Sequence, residues 1–145
     1  MIAIFKIILS FFLFLTSGDI SAQLNNSYSH EEVLVTTNNT TQTLLIHTPV
    51  TESTGEFHVR IMARRISDGV SKGFIYDGIF TRTTGNTTVT GTLVNLLGSS
   101  SDLTAMLLST ATIDANGADI RIRITGLIGT TIYWRGTFIG NEMQE

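Results

Sequence analysis

The sequence predicts an all-β chain, an antiparallel β-sandwich with a jelly-roll-like layout and about seven or eight strands. Three observations lead there. Beyond the N-terminal segment, short runs alternate apolar and polar residues with a period of two, as strands with one buried face do. Clusters of Gly, Asn, Asp and Ser separate those runs at even spacing. No extended stretch of that region keeps a helical period, and the single proline, Pro49, interrupts none of the runs.

The first 22 residues read differently. A single cation, Lys6, precedes an apolar run at 7–15 that is broken only by Ser10, and residues 16–22 are small or polar. This is the three-part layout of a secretory signal peptide, a signal-like helix removed after Ala22, with Gly18 as the second-choice cleavage point. The run is too short to cross a ~30 Å hydrocarbon core as a relaxed helix of about 20 residues. A retained anchor or an assembly helix is the competing reading.

Residues 23–41 read as a polar lead-in with one short strand at 32–37, residues 42–140 as the sandwich, and 141–145 as a C-terminal tail. Strands are expected at 42–47, 56–66, 74–82, 87–97, 103–113, 119–125 and 130–139. In 56–66, Phe57, Val59, Ile61 and Ala63 share one face while His58, Arg60, Met62 and Arg64 share the other. In 74–82, Phe74, Tyr76 and Phe80 oppose Ile75, Asp77 and Ile79. Ser67-Asp68-Gly69, Thr84-Gly85-Asn86 and the Asn116-Gly117 dipeptide supply turns. In 103–113, Leu103, Ala105, Leu107, Ala111 and Ile113 are in phase, although Leu and Met also give this segment helical propensity.

The last two strands read as a hairpin. Ile120, Ile122 and Ile124 alternate with Arg121 and Arg123; Ile132, Trp134, Gly136 and Phe138 alternate with Tyr133 and Arg135. If the two strands pair, an odd loop is needed to bring the apolar faces together. A loop at 125–129 sets Ile122 opposite Ile132, Ile120 opposite Trp134 and Asp119 opposite Arg135, whereas a loop at 127–129 opposes Arg121 and Arg135.

Residues 57–65 (Phe-His-Val-Arg-Ile-Met-Ala-Arg-Arg), the turn around Gly85 and the closing run 116–134 carry a resemblance. The most specific part is Arg123-Ile124-Thr125-Gly126 followed by Gly129-Thr130-Thr131-Ile132-Tyr133-Trp134. Over about residues 57–139 the chain resembles a β-rich module of phage tail-fibre, virion-surface and prophage proteins. The resemblance implies a β-sandwich, often oligomeric, that serves as a structural or receptor-facing module without an active site. The leader departs from that family's pattern.

Charge and composition narrow the function classes. The leader holds one charge of each sign, so its removal leaves the net charge near −3, which disfavours nucleic acid and anionic membranes as partners. The chain has no cysteine, so thiol nucleophiles, disulfides and Cys-based metal sites are excluded. His30, His47 and His58 lack metal-ligand spacing. The carboxylates Asp68, Asp77, Asp102, Asp114 and Asp119 fall mostly at turns; Asp77, inside an apolar strand, is expected to pair with Arg82 or Lys72. The fragment 114–117 lacks the rest of a calcium loop, and no nucleophile elbow or phosphate loop is present.

The expectation is therefore no catalytic, cofactor or metal residue, and an exported, non-enzymatic structural or adhesion module of a virion, fibre or cell surface. It would self-associate as a homo-oligomer, bind a glycan or surface receptor, and have no membrane partner once the leader is gone. An exported carbohydrate-binding domain is the alternative, with Tyr133 or Tyr76 in an exposed aromatic cluster. Candidate ligand contacts are Tyr133, Arg121, Arg123 and Arg135, against a solvated sheet face as the plainer reading. Leu127 and Ile128, apolar at a hairpin tip, are the candidate oligomer interface, against a cap on the chain's own core. Mass spectrometry of the exported protein is expected to give an N-terminus at Gln23; an intact segment 1–22 in the functional particle refutes the leader.

Overall fold

The computed structural model describes residues 25–97 and 106–144. Eight strands follow one another: β1 (Asn25–Thr36), β2 (Thr41–His47), β3 (Ser53–Arg65), β4 (Ser71–Arg82), β5 (Thr87–Leu97), β6 (Thr110–Asn116), β7 (Asp119–Thr125) and β8 (Ile132–Gln144). They form a five-stranded sheet in the order β1-β8-β3-β4-β5 and a three-stranded sheet in the order β2-β7-β6. Every pairing is antiparallel. In the larger sheet β3, β4 and β5 form a meander, and β8 returns to lie beside β3, the Greek-key arrangement. The expected N-terminal helix, and the start of the run expected at 103–113, lie outside the described residues.

The two sheets enclose one apolar core, and the period-two runs supply it. Phe57, Val59, Ile61 and Ala63 of β3 and Phe74, Tyr76 and Phe80 of β4 point inward from the larger sheet, as their phase predicts. Ile120, Ile122 and Ile124 of β7 answer from the smaller sheet, each fully buried. Trp134 is fully buried, and its indole N–H donates to Thr36 Oγ at 2.9 Å, so the ring's one polar atom is satisfied. In β2 a bulge between Thr43 and Leu45 turns both Leu44 and Leu45 inward. Leu44 fills the hollow under Gly136, where a Cβ would lie 2.6 Å from its Cδ2; that is why the inward series of β8 contains a glycine.

The β6–β7 turn is tighter and later than expected. Asn116 pairs with Asp119, leaving Gly117-Ala118 as a two-residue loop with Gly117 at φ 59°, the pattern of a type II′ turn.

Three expectations are corrected. Residues 25–36 of the segment read as a lead-in form the edge strand β1, paired along its whole length with β8, and residues 141–144 of the expected tail belong to β8. An edge strand buries only part of one face, so β1 needs little more than Tyr28, Leu34 and Thr36 on its inner side and otherwise reads as polar. Strands β7 and β8 do not form a hairpin: β7 lies between β2 and β6, β8 between β1 and β3. The isoleucine face does meet the Trp134 face, but across the sandwich rather than side by side, and Asp119 accepts from Thr48 Oγ at 2.6 Å instead of facing Arg135. Finally, Leu107 is exposed and Met106 buried, because the chain turns at 106–109 before β6 begins.

Replacing Trp134 with Ala is expected to cost ~3–5 kcal/mol in chemical denaturation. Thr36→Val, which keeps the volume but orphans the indole N–H, is expected to cost ~1–3 kcal/mol.

Candidate functional site

The outer face of the larger sheet is built by the residues that alternate with the core set. Strand registers place Ser29, Ile139, His58, Asp77 and Thr92 side by side in one row across all five strands. The adjoining row is Ser27, Asn141, Glu56, Ile79 and Thr90. Between them runs the inward-facing row Tyr28, Gly140, Phe57, Gly78 and Gly91. Its glycines are required by close approach from inside: a Cβ on Gly140 would lie 2.7 Å from the Tyr28 ring, one on Gly78 2.8 Å from Phe57, and one on Gly91 2.7 Å from Tyr76.

On the outside, the backbone of these three glycines lines a groove of about 560 Å³ walled by Glu56, His58, Asp77, Ile79, Ile139 and Asn141. A second hollow of about 450 Å³ shares Glu56, Ile79 and Asn141 and extends past Thr54 and Met143. Together they make one trough across β8, β3, β4 and β5.

A hydrogen-bonded chain of three charged or polar groups crosses the trough. His58 Nδ1 bonds the Asp77 carboxylate, and Arg60 Nε donates to His58 Nε2 at 3.0 Å. Because Arg60 can only donate, Nε2 accepts from it and Nδ1 is left to face the Asp77 carboxylate. Both ring nitrogens are engaged, and no hydrogen bond joins His58 to the hydroxyl of Thr90 in the groove. Asn141 Nδ2 reaches Glu56 Oε1 at 3.5 Å. Ile79 is 61% exposed and Ile139 48%, so the polar centre has apolar shoulders. The arrangement suits binding: donors and acceptors to orient a partner, flanked by apolar surface that gains from losing water.

The residues singled out in sequence are not brought together. Tyr133 and Arg135 lie on this same outer face, with Arg135 paired to Glu31 at 2.8 Å. Arg121 and Arg123 sit on β7, on the far side of the sandwich, where both reach Asp114, Arg121 at 2.8 and 3.1 Å and Arg123 at 3.5 Å. The four do not form one anion patch. Leu127 packs against the core, as the cap reading has it, while Ile128 is 77% exposed.

Asp77 meets neither Arg82 nor Lys72. Arg82 donates to the Ala118 carbonyl, and buried Lys72 donates to the carbonyls of Met106, Leu107 and Ser109 at 3.4, 3.2 and 2.7 Å. Burial lowers the pKa of Lys72. The Asp77–His58 pair carried a readable signal: both residues have the outward phase, and a hairpin centred between Ser67 and Asp68 sets them opposite each other.

A second polar cluster lies inside, where β1 and β2 approach. His47 is buried, stacked on Tyr28 at 4.1 Å and on Phe138 at 4.9 Å, with His30 at 5.5 Å. The Nε2 of His47 has no hydrogen-bond partner, and neither has the Tyr28 hydroxyl. Burial, and after it the Glu142 carboxylate, raises the Tyr28 pKa above the usual phenol range. Among the described residues no three His, Asp or Glu side chains gather in a metal-holding group.

The sequence matches no protein-family model and no curated protein, so the functional reading rests on the fold and the trough.

Burial, and after it the neighbouring His30, lowers the His47 pKa to about 4. The unfolded chain takes up this proton near pH 6.5 and the folded chain only near pH 4, so stability is expected to fall as the pH drops through that window. The loss is roughly 2–3 kcal/mol. Urea midpoints measured across the window are expected to show the slope in the natural chain and a flatter one in His47→Phe.

Proposed function

We propose that this chain is an exported, non-enzymatic binding and assembly module, structural or adhesive, of a virion, fibre or cell surface, and that it works through the outer face of its larger sheet. The observation that carries this is the trough and what surrounds it. Seven of the twelve large apolar side chains exposed in the described chain, Val33, Val35, Met62, Ile79, Tyr133, Ile139 and Met143, lie on that one face. Scattered exposed apolar residues are ordinary; their concentration on one face that also carries a polar groove is what interaction surfaces show. Self-association and receptor contact both draw on this surface. The jelly-roll-like nesting of β1 with β8 and β2 with β7, and the resemblance to tail-fibre modules, point the same way.

The chemistry of the charged groups supports a role without catalysis. Arg121, Arg123 and Arg135 are held in ion pairs, Lys72 is held by carbonyls, and His58 has both nitrogens engaged. The carbohydrate-binding alternative calls for an exposed aromatic platform. Tyr76 is buried against Gly78 and Gly91, and Tyr133 stands three outward positions along β8 from Ile139, so no aromatic side chain walls the trough from outside.

The test is a double substitution, Ile79→Asp with Ile139→Asp, at side chains exposed enough for the fold to be kept. Light scattering over a concentration series is expected to show assemblies of the natural chain and monomers of the variant, at similar melting temperatures. Immobilised polysaccharides and host-cell surfaces, as a second arm, are expected to retain the natural chain and release the variant. A natural chain that stays monomeric and is retained by none of them refutes the proposal, as does a variant that assembles and binds unchanged.

A further inference from the structure

The two ends of the sandwich differ in a way that turn chemistry does not require. The β3–β4 turn, the 106–109 turn and the β7–β8 connection meet at one end: Ile66 N–H donates to the Thr131 carbonyl at 3.0 Å, and Lys72, just after the β3–β4 turn, holds the Leu107 carbonyl at 3.2 Å. Each of these three turns places large aliphatic side chains in solvent, with Ile66 59% exposed, Leu107 57%, Leu108 78% and Ile128 77%, while the β1–β2 connection at the same end carries only Thr and Asn. Turns ordinarily carry Gly, Asn, Asp or Ser at such positions. The opposite end is polar and acidic, with Glu52 bonded to Thr84, Asp119 to Thr48, and Glu142 to the Val50 amide.

Charge follows the same axis. At the apolar end the one carboxylate among the described turn residues, Asp68, is neutralised by Arg65. Arg64 extends its guanidinium over this turn, with Nη2 3.5 Å from the Cβ position of residue 69. Tyr133 lies directly opposite Arg64 on the neighbouring strand, one step behind the tips. Among the described residues, Glu52, Asp119 and Glu142 gather at the opposite end instead.

We propose that this end docks on a lipid bilayer, with Ile66, Leu107, Leu108 and Ile128 entering the acyl region and Arg64 and Tyr133 at headgroup level. Aliphatic tips backed by an aromatic ring and a guanidinium follow the polarity profile of a membrane interface. Area also separates a bilayer from a second copy of the chain. The tips expose on the order of a few hundred Å², against about 800 Å² per partner in a stable protein interface. They also stand on three separate turns, which suits a fluid phase that closes around them better than a rigid complementary surface. The expected absence of a membrane partner rested on net charge, which bears on anionic headgroups and not on insertion of apolar tips.

The experiment is vesicle co-sedimentation of the full chain as recovered from the expressing cell, with phosphatidylcholine alone and mixed with phosphatidylglycerol. The variant Leu107→Ser, Leu108→Ser and Ile128→Ser is compared at the same verified N-terminus. Binding to both vesicle types, stronger on the mixture, is expected to weaken about a hundredfold or more in the variant at an unchanged melting temperature. Arg64→Glu is expected to weaken binding on the mixture alone. Should the triple variant fold poorly, Leu108→Ser with Ile128→Ser, the two most exposed side chains, is expected to lose about tenfold or more. No vesicle binding by the natural chain overturns the proposal, and so does binding that both variants retain. A dimer in light scattering that the substitutions dissolve, without vesicle binding, also overturns it and assigns the tips to a second copy of the chain.

Discussion

The contact on which most of this molecule depends is that of aromatic rings packed closely against glycines. Tyr28 and Phe57 press on Gly140 and Gly78 in a single register row of the larger sheet, and the ring of Tyr76, two residues before Gly78, reaches Gly91 in that row. Phe138 stacks between Tyr28 and Phe57, at centroid distances of 5.7 and 5.0 Å, and Phe57 stacks on Tyr76 at 5.5 Å. This ladder crosses four of the five strands and extends through His47 to the smaller sheet. A side chain at any of the three glycines would meet a ring or a neighbouring backbone carbonyl, so the ladder and the glycines exist only together. With no disulfide available, such packing and the sheet ladders hold the sandwich together.

The same row links the core to the outer surface. Glycines placed to admit the rings inside present bare backbone outside, and that backbone lines the trough beneath His58 and Asp77. Core packing on one face and an open groove on the other are two consequences of one register. The floor of the trough is built on the ladder, and His58 at its centre is held between Arg60 and Asp77.

Polar burial is handled in two contrasting ways. Lys72 is sequestered but satisfied by three carbonyls, and so anchors the turn that precedes β6. His47 is sequestered with one nitrogen unpaired, which ties the seam between the sheets to a neutral imidazole. The first arrangement fixes a loop in place; the second makes stability depend on pH.

The sequence by itself determined the all-β class and the facing of the central strands. Alternation in 56–66 and 119–125 identifies Phe57, Val59, Ile61, Ile120, Ile122 and Ile124 as core without reference to any neighbour, because a strand's side chains alternate whatever it pairs with. The hairpin centred at Ser67–Asp68 likewise makes the His58–Asp77 pair readable, since a short turn ties register to sequence position. Two things were decided only by the tertiary structure. One is partner choice: β7 and β8 are adjacent in sequence and matched in pattern, yet they lie in different sheets, because the backbone hydrogen bonds that pair strands are the same for any partner and carry no address. The other is the membership of β1, whose polar sequence conceals a strand completed by β8. The trough belongs to this second category. Its walls come from residues as distant as Glu56 and Asn141, and only the long-range pairing of β3 with β8 makes them neighbours.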